Sequence, residues 1–385
     1  MDIGLLCYTM NMRKTFKFRL YPSKSQATKM DVILEECRWL YNHLLEQRKI
    51  AYEQTGKGLS LYDQHATLPD LKRERPTLQL VHSQILQNVA VRIDLAFQAF
   101  FRRVKAREKS GYPRFRGWGR YDSFCYPQYP SGCQLNESNI YLSKVGNVRV
   151  KQHRALEGKP KPVCIRRTPT GKWFATISCE IELDPLPKSD EVVGIDVGLS
   201  SFATLSTGEQ IANPRFFREE EKALAKAQRR LSKETKGTVE RLERRKVVAR
   251  IHERIANRRY NFSHQNSRQI VNKYGFIAIE DLSVNRMVHN HRLSKSIYDA
   301  AWSEFAHHLS YKAAYAGREF TAVNPAYTSQ DCSRCGCRQI MPLSDRVYRC
   351  RECGLELDRD HNAAINILAV GLHSLGIQPL EAAPL

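Results

Sequence analysis

The chain has 385 residues, with 61 Lys and Arg against 40 Asp and Glu, a net charge of +21 and a pI near 9.6. That length exceeds one small core and suggests two or three domains; the 42% apolar content excludes general disorder, and no apolar run is long enough to cross a bilayer. The basic excess favours a polyanionic partner, because each phosphate neutralised releases condensed counterions.

Residues 1–10, MDIGLLCYTM, are weakly apolar but lack a basic leader and a small-residue cleavage site, so they make a poor signal peptide. A start at Met10 or Met12, ahead of Arg13-Lys14, suits the sequence better. Residues 13–21, RKTFKFRLY, alternate as a short strand, and Pro22-Ser23 turns into a helix with Ser23 as its cap. Met30, Ile33, Leu34, Cys37, Leu40, Tyr41 and Leu44 share one face of a helix over 26–52, which Gly56 and Gly58 end. A second helix over 81–107 carries Ile85, Val89, Ile93, Phe97, Phe100 and Val104 as its stripe. Its polar side holds Gln84, Gln87 and Asn88, amides able to read adenine edges, although a plain polar surface has the same composition. Residues 26–108 thus form a helical subdomain.

The loop KSGYPRFRGWGR (109–120) interleaves Arg114, Arg116 and Arg120 with Tyr112, Phe115 and Trp118. Cations for phosphates beside rings for bases fit single-stranded nucleic acid; a tight turn with core aromatics is the plainer alternative. Over 130–185 the period changes to two, most clearly at Trp173, Ala175, Ile177, Cys179 and Ile181, with a turn at Thr170-Gly171. An antiparallel sheet is expected, closed into a small β-barrel that takes in the 13–21 strand. Residues 184–187, DPLP, read as a linker.

EVVGIDV (191–197) is a buried strand ending in Asp196, and residues 200–212 form a hairpin turning at Thr207-Gly208. Residues 215–259 hold 16 Lys and Arg against 7 Asp and Glu. Two apolar stripes separated at Lys236-Gly237 make them a basic helical hairpin, with Arg229, Arg230, Arg244 and Arg245 as candidate phosphate contacts. GFIAIED (275–281) is a second buried strand ending in acids; a helix over 297–316, a strand over 320–323 and a helix over 361–370 follow, then a loosely ordered tail, 371–385.

Of the eleven cysteines, six lie singly (Cys7, Cys37, Cys125, Cys133, Cys164, Cys179) and five within 332–353. That is the usage of a reducing compartment with one metal site, not of a disulfide scaffold. Cys332-x2-Cys335-x14-Cys350-x2-Cys353 supplies four thiolates for one structural, tetrahedral Zn²⁺, with Gly336 and Gly354 letting backbone amides turn toward the sulfurs. Cys337 stands outside the pattern. Arg346, with Arg349 and Arg351, puts positive charge on the arm between the Cys pairs.

Three acids occupy related places: Asp196 after VVGI, Glu280 after FIAI, and Asp360 opening a helix. A carboxylate ending a buried strand does little for stability, whereas three that converge can hold two Mg²⁺ for phosphodiester hydrolysis. Asp360 as a helix cap is the competing reading, and Asp281 and Asp358 are the neighbours most easily confused with the ligands. The order strand, hairpin, helix, strand, helix, acidic helix is that of a ribonuclease H-like fold. The expected class is multidomain α+β.

GIDVGLSSFATLSTG, FIAIEDLSVNRM, CSRCG, CRECG and DRDHNAAINIL, in that order, resemble the transposon-encoded TnpB (OrfB) proteins, relatives of compact type V CRISPR nucleases. FKFRLYPSKSQ, YNHLL and GYPRFRG extend the resemblance softly into the amino half. The resemblance implies a wedge barrel made of residues 10–25 and 109–187 around the recognition helices 26–108. It further implies a RuvC-type nuclease domain (188–324 and 357–370) interrupted by a zinc ribbon (325–356), with its acids on Asp196, Glu280 and Asp360. It implies a guide RNA from the transposon end, a short target-adjacent motif, a double-stranded DNA target opened as an R-loop, and a prokaryotic cytoplasmic protein acting on nucleoid DNA, with a monomer favoured. The alternative is an RNA-guided DNA-binding repressor without cleavage, whose sign would be lost acids. A strand-joining transposase would need a nucleophilic Tyr or an insertion-type acidic triad, for which the sequence gives no support.

Overall fold

The computed structural model describes residues 12–183, 185–342 and 345–376, which form two compact units dividing after Glu182. The possible start at Met10, Asp184 of the linker, and residues 377–385 of the tail lie outside the described residues. Among those described, no helix is long and apolar enough to cross a membrane.

The first unit begins with β1 (Met12–Tyr21), whose Phe16, Phe18 and Leu20 are buried on alternate positions as the period-two pattern requires. Helices α1 (Lys24–Thr55), α2 (Leu61–Ala66), α3 (Leu68–Glu74) and α4 (Ser83–Lys105) follow, with a 3-10 turn at Pro76–Leu80 before α4. Ser23 and Gln26 cap α1 reciprocally, satisfying two amides that would otherwise face no acceptor. Two ion pairs lie inside this helical layer, Glu36 with Arg75 at 2.7 Å and Arg48 with Asp94 at 3.0 Å. The expected stripe of α4 is buried only as far as Phe97; Phe101 and Val104 beyond it are exposed.

Strands β2 (Ser123–Tyr126), β3 (Cys133–Leu135), β4 (Asn139–Leu142), β5 (Gly146–Lys151), β6 (Lys159–Arg167) and β7 (Trp173–Ile181) complete an antiparallel sheet ordered β2-β6-β7-β1-β5-β4-β3. It is a near-barrel: the end strands β2 and β3 are joined by one short loop, and the Tyr126 hydroxyl donates to the Ser143 carbonyl at 3.0 Å. Trp173, Ala175, Ile177, Cys179 and Ile181 all point inward. Arg92 of α4 ties the helices to β2, donating to Ser123 O at 2.8 Å and the Tyr121 hydroxyl at 3.1 Å. One expectation fails here. Cys125 and Cys164 face each other across β2 and β6 with Cα atoms 4.1 Å apart and form a disulfide, whereas the cysteine usage predicts free thiols for the singly placed cysteines. Strand pairing, which sequence spacing does not reveal, makes them neighbours.

The second unit contains β8 (Val192–Val197), β9 (Ser201–Leu205), β10 (Gln210–Ala212), α5 (Phe216–Lys233), α6 (Val239–Lys273), β11 (Phe276–Glu280), α7 (Val284–Met287), α8 (Ser294–Ala300), α9 (Trp302–Ala316), β12 (Glu319–Val323), β13 (Val347–Arg349), β14 (Glu356–Asp358) and α10 (Arg359–Ser374). Its five-stranded sheet is ordered β10-β9-β8-β11-β12, with β8, β11 and β12 parallel and β9 and β10 antiparallel. Val193, Ile195, Ile277 and Ile279 point into a core with α6, α8 and α9, including Val271, Ile297, Phe305 and Leu309. The opposite face, with Phe276 and Ala278, packs on Ile367 of α10.

Three expectations are revised. The helix expected over 297–316 is two, because Ala301 adopts a left-handed φ of 56° two residues after Asp299, which is fixed on another helix. The second arm of the basic hairpin continues well beyond 259, to Lys273. Its added turns bury Ser263 and Ser267, small polar residues that hide the helical period. The tail reading fails over 371–374, which are the last residues of α10.

Gly194 is where α10 lies closest to the sheet. A Cβ there would sit 2.7 Å from Leu368 N and closer still to the Ala364 carbonyl oxygen. Gly194→Ala should therefore lower the urea-unfolding free energy by about 1–3 kcal/mol. An unchanged midpoint would show that the helix is not held against β8.

Candidate metal and catalytic site

Alternation along β8 and β11 decides where the acids go. Val193 and Ile195 face one side of the sheet, so Gly194 and Asp196 face α10; Ile277 and Ile279 do likewise, so Ala278 and Glu280 face α10. The strands are parallel with Ile195 opposite Ile279, which makes Asp196 and Glu280 neighbours at the carboxyl ends. Such ends, in open α/β sheets, are where ligands bind. Helix α10 runs back along β8, with Ala364 over Gly194 and the Asp360 carboxylate 4.0 Å from a Cβ built at Gly198. Asp196, Glu280 and Asp360 thus come together, all half-buried.

The neighbouring acids separate cleanly. Asp358 is the helix cap, its Oδ1 accepting from the amides of Asp360 and His361, both at 3.0 Å. That frees the Asp360 side chain for the cluster. Asp281 is exposed, and its backbone amide donates to Val323 O at 2.8 Å, continuing the parallel ladder.

All three carboxyls are held toward their neutral forms. Burial, and then the charges of Glu280 and Asp360, push Asp196 up to about 9. Glu280 is raised mainly by burial, and Asp360 by burial and by Asp358, against the opposing charges of Arg346 and Arg359. A group of hard oxygen donors whose charged forms are disfavoured by burial and by neighbouring acids suits a hard divalent cation, which favours those charged forms.

Sequence reading missed the residues around this cluster. The Thr328 hydroxyl lies 3.1 Å from Pro325 O and 3.4 Å from Glu280 Oε1. His361 Nε2 meets Ser206 O at 3.1 Å and so fixes the β9–β10 turn to α10. Asn362 is fully buried: its Oδ1 accepts from Ser333 N at 3.0 Å and its Nδ2 donates to Asp331 O at 2.8 Å. Asn366, one turn on, donates to the same carbonyl at 2.7 Å and to Thr328 O at 2.8 Å. Two Asn four apart among Ala and Ile in a helix were the available signal, since a buried amide has to find partners.

Those amides hold the root of the cysteine segment. The sulfurs of Cys332, Cys335, Cys350 and Cys353 lie within 4.8 Å of one another, with Cys332–Cys353 at 3.6 Å and Cys335–Cys350 at 3.5 Å. The sulfur spacing in a tetrahedral thiolate site is ~3.8 Å for metal–sulfur bonds of about 2.3 Å, so the four can hold one metal ion. Amides of Cys353 and Glu352 point at Cys350 and lower its thiol to about 6. Gly336 and Gly354 donate back to the carbonyls of Cys332 and Cys350 at 2.9 and 3.1 Å. Cys337 is not in the cluster; its carbonyl accepts from Cys332 N and from the Tyr348 hydroxyl.

The candidate nucleic-acid residues divide. Arg114, Arg116, Arg120, Arg229, Arg230, Arg244, Arg245 and Arg346 are all exposed, as are Tyr112 and Gln87. Arg244 has Glu234 at 3.5 Å. Gln84 is engaged with Gln128 at 2.8 Å, and Asn88 accepts from Arg92 at 3.0 Å. Arg346 stands beside Asp360, its carbonyl accepting from Arg359 N at 2.8 Å.

Residues 176–291 match a family model described as a probable transposase (OrfB of IS605), 302–367 a Cas12f1-like TNB domain, and 10–57 a helix-turn-helix domain, although in this chain 12–55 form β1 and the single helix α1. A Streptomyces pristinaespiralis protein named "Putative RNA-guided DNA endonuclease" is 36% identical over 369 residues, covering 94% of this chain and 90% of its own length. The similarly named InsQ of Escherichia coli K12 is 32% identical over 383 residues, covering 94% and 93%. A Cas12f1 protein, solved by cryo-EM with single-guide RNA and target DNA, aligns over 93% of this chain and 98% of its own with a TM-score of 0.60. At 15% identity that likeness speaks for the fold.

Asn362→Ala leaves the Ser333 amide and the Asp331 carbonyl without their partner, so a loss of about 1–3 kcal/mol in unfolding free energy is expected. The same substitution should raise proteolysis between residues 325 and 356. Equal protease resistance in variant and parent would remove the Asn from this role.

Proposed function

The chain belongs to the OrfB (TnpB) family, and we propose from that membership and its acid cluster that it is an RNA-guided DNA endonuclease of a transposon. The observation that carries the reading is the meeting of Asp196, Glu280 and Asp360 at the ends of two parallel strands and one helix. Asp358 caps the helix in place of Asp360, which speaks against the bland reading of that acid. Retention of all three acids favours cleavage over a repressor that only binds.

The strand order β10-β9-β8-β11-β12, with its antiparallel hairpin, supports a ribonuclease H-like (RuvC) nuclease domain. The four cysteines suit Zn²⁺, a borderline-soft ion, and leave no open position, so that site is structural. The carboxylates suit Mg²⁺; two such ions, when bound, activate water and stabilise the leaving oxygen of a phosphodiester. Asp196 and Glu280 are held rigid by the parallel ladder, and Asp360 by the N-terminal turn of α10, so the donor set is preorganised. Thr328 orients Glu280. Arg346 and Arg359 offset negative charge beside Asp360 and are placed to meet an incoming phosphate.

A guide RNA derived from the transposon end gives sequence specificity by pairing with target DNA, which opens as an R-loop. The exposed arginines of α5 and α6, with those of the 109–120 loop, supply the phosphate contacts. Asp299 anchors the first of these helices, both its oxygens accepting from Phe217 N at 2.9 Å while Arg259 donates at 3.0 Å.

The test is cleavage of a plasmid carrying a matched target by protein purified with its RNA. Asp196→Ala, Glu280→Ala and Asp360→Ala should each lower the rate about a thousandfold or more, corresponding to several kcal/mol of transition-state stabilisation. Intact plasmid under wild-type protein that still binds the target would establish the repressor instead. Independently of activity, Mg²⁺ in otherwise metal-free buffer should raise the wild-type melting temperature by linkage. Asp196→Asn, which relieves the carboxylate repulsion, should melt higher without Mg²⁺ and respond to it little. Equal Mg²⁺ responses in both proteins would place the cation elsewhere.

A further inference from the structure

We propose that the cavity between α1, the end of α4 and the 109–120 loop receives one unpaired base of the guide RNA. The inference rests on the reading that the chain binds such an RNA, and assigns a ligand to a pocket inside the first unit.

The cavity is ≈ 340 Å³, at the lower end of small-ligand sites and of a size for a nucleotide rather than a helix or peptide. Its walls include the rings of Tyr41, Phe100 and Tyr112, and its rim the guanidiniums of Arg103, Arg114 and Arg116. Flat rings at the centre with cations around them match the two parts of a nucleotide, a π-face and a phosphate.

The pocket is built in advance. Asn42 clamps the loop through both backbone groups of Arg116, accepting from its N–H at 2.7 Å and donating to its carbonyl at 3.0 Å. Arg38 donates to the same carbonyl at 3.1 Å. The Tyr112 ring stands edge-on to Phe97 and Phe100, with centroids 5.4 and 5.6 Å away. The Arg116 guanidinium lies 5.4 Å from the Tyr41 ring centre. A loop that only closed a core would bury its rings, yet Tyr112 is 46% exposed and Trp118 75%.

The chemistry favours RNA over target DNA. Structured RNA presents loops and bulges whose bases splay out onto aromatic rings and arginine planes at all times, whereas target DNA offers unpaired bases only once pairing with the guide has opened it. The basic end of α4, Arg102, Arg103 and Lys105, lies next to the pocket for the flanking phosphates.

The experiment measures binding of the copurifying RNA, transcribed in vitro, to wild-type protein and to Tyr112→Ala, Tyr112→Phe and Arg114→Glu. Chemical probing of base reactivity accompanies it. One unpaired position should be protected in the wild-type complex and become reactive with Tyr112→Ala, with affinity falling about tenfold or more. Tyr112→Phe keeps the ring and should bind as wild type. Arg114→Glu, at an exposed site that does not threaten folding, should also weaken binding. A single-stranded DNA of equal length should lose less affinity on either change. Unchanged affinity and the same protections in both Tyr112→Ala and Arg114→Glu would overturn the pocket while RNA binding and Asp196-dependent cleavage by the wild type stood. Wild-type protein that carried no RNA would instead overturn the functional reading, and the pocket with it.

Discussion

The second unit depends on how closely α10 can approach its sheet. Gly194 under Ala364 and Leu368, and Gly371 against Ala278, remove the side chains that would hold helix and strands apart. With that spacing lost, Asp360 would move away from Asp196 and Glu280, whose own positions are set by a parallel ladder. Two glycines of quite different sequence context therefore act on one distance. Neither is needed for a turn; each is needed because there is no room for a Cβ.

Placing three carboxyls half-buried at one spot works against folding, since burial raises the charging cost of each and Asp196 is raised further by Glu280 and Asp360. The surroundings offset this. The hydrophobic layers on both faces of the sheet fix the strands. Asp358 caps α10, and His361, Asn362 and Asn366 fasten the helix to the β9–β10 turn and to the base of the cysteine segment. Asp331, whose carbonyl receives both asparagines, immediately precedes Cys332, and Thr328 touches Glu280 from the same segment. Order in the four-cysteine cluster is thereby transmitted over a few bonds to the acids. The four-cysteine cluster thus has a mechanical reason to sit so close in sequence to α10.

Much of this was legible in the residues. Period-two burial in β7, the Ser23 cap, the glycine break in the basic hairpin, the cysteine spacing and the three acids all follow from local patterns, and the folded chain carries each of them. What was not legible depends on partners remote in sequence. The Cys125–Cys164 bond requires knowing that β2 pairs with β6. The left-handed break at Ala301 sits inside an unbroken apolar stripe, two residues after Asp299, whose carboxylate is bound to α5. The last turns of α6 were hidden because Ser263 and Ser267 bury hydroxyls, not hydrocarbon, against His308 and Lys312. Gln84 and Asn88 looked available on a polar helix face, but each has a partner that only folding supplies.

Charge of opposite sign is laid out in one molecule with consequences for the order of events. The excess of +21 is spread over surfaces such as α5, α6 and the 109–120 loop, while the acids lie half-buried at strand ends. A polyanion meets the exposed arginines first, because their field extends about a Debye length, ~8 Å at physiological salt. The carboxyls, half-buried and held toward their neutral forms, offer the same backbone no attraction of their own. The two regions therefore answer to different conditions: arginine contacts with a polyanion weaken with monovalent salt through counterion release, whereas the half-buried acids answer to pH through their raised proton affinity. Arg346 and Arg359 are where the two kinds of charge meet, beside Asp360 and tied to each other through the Arg346 carbonyl.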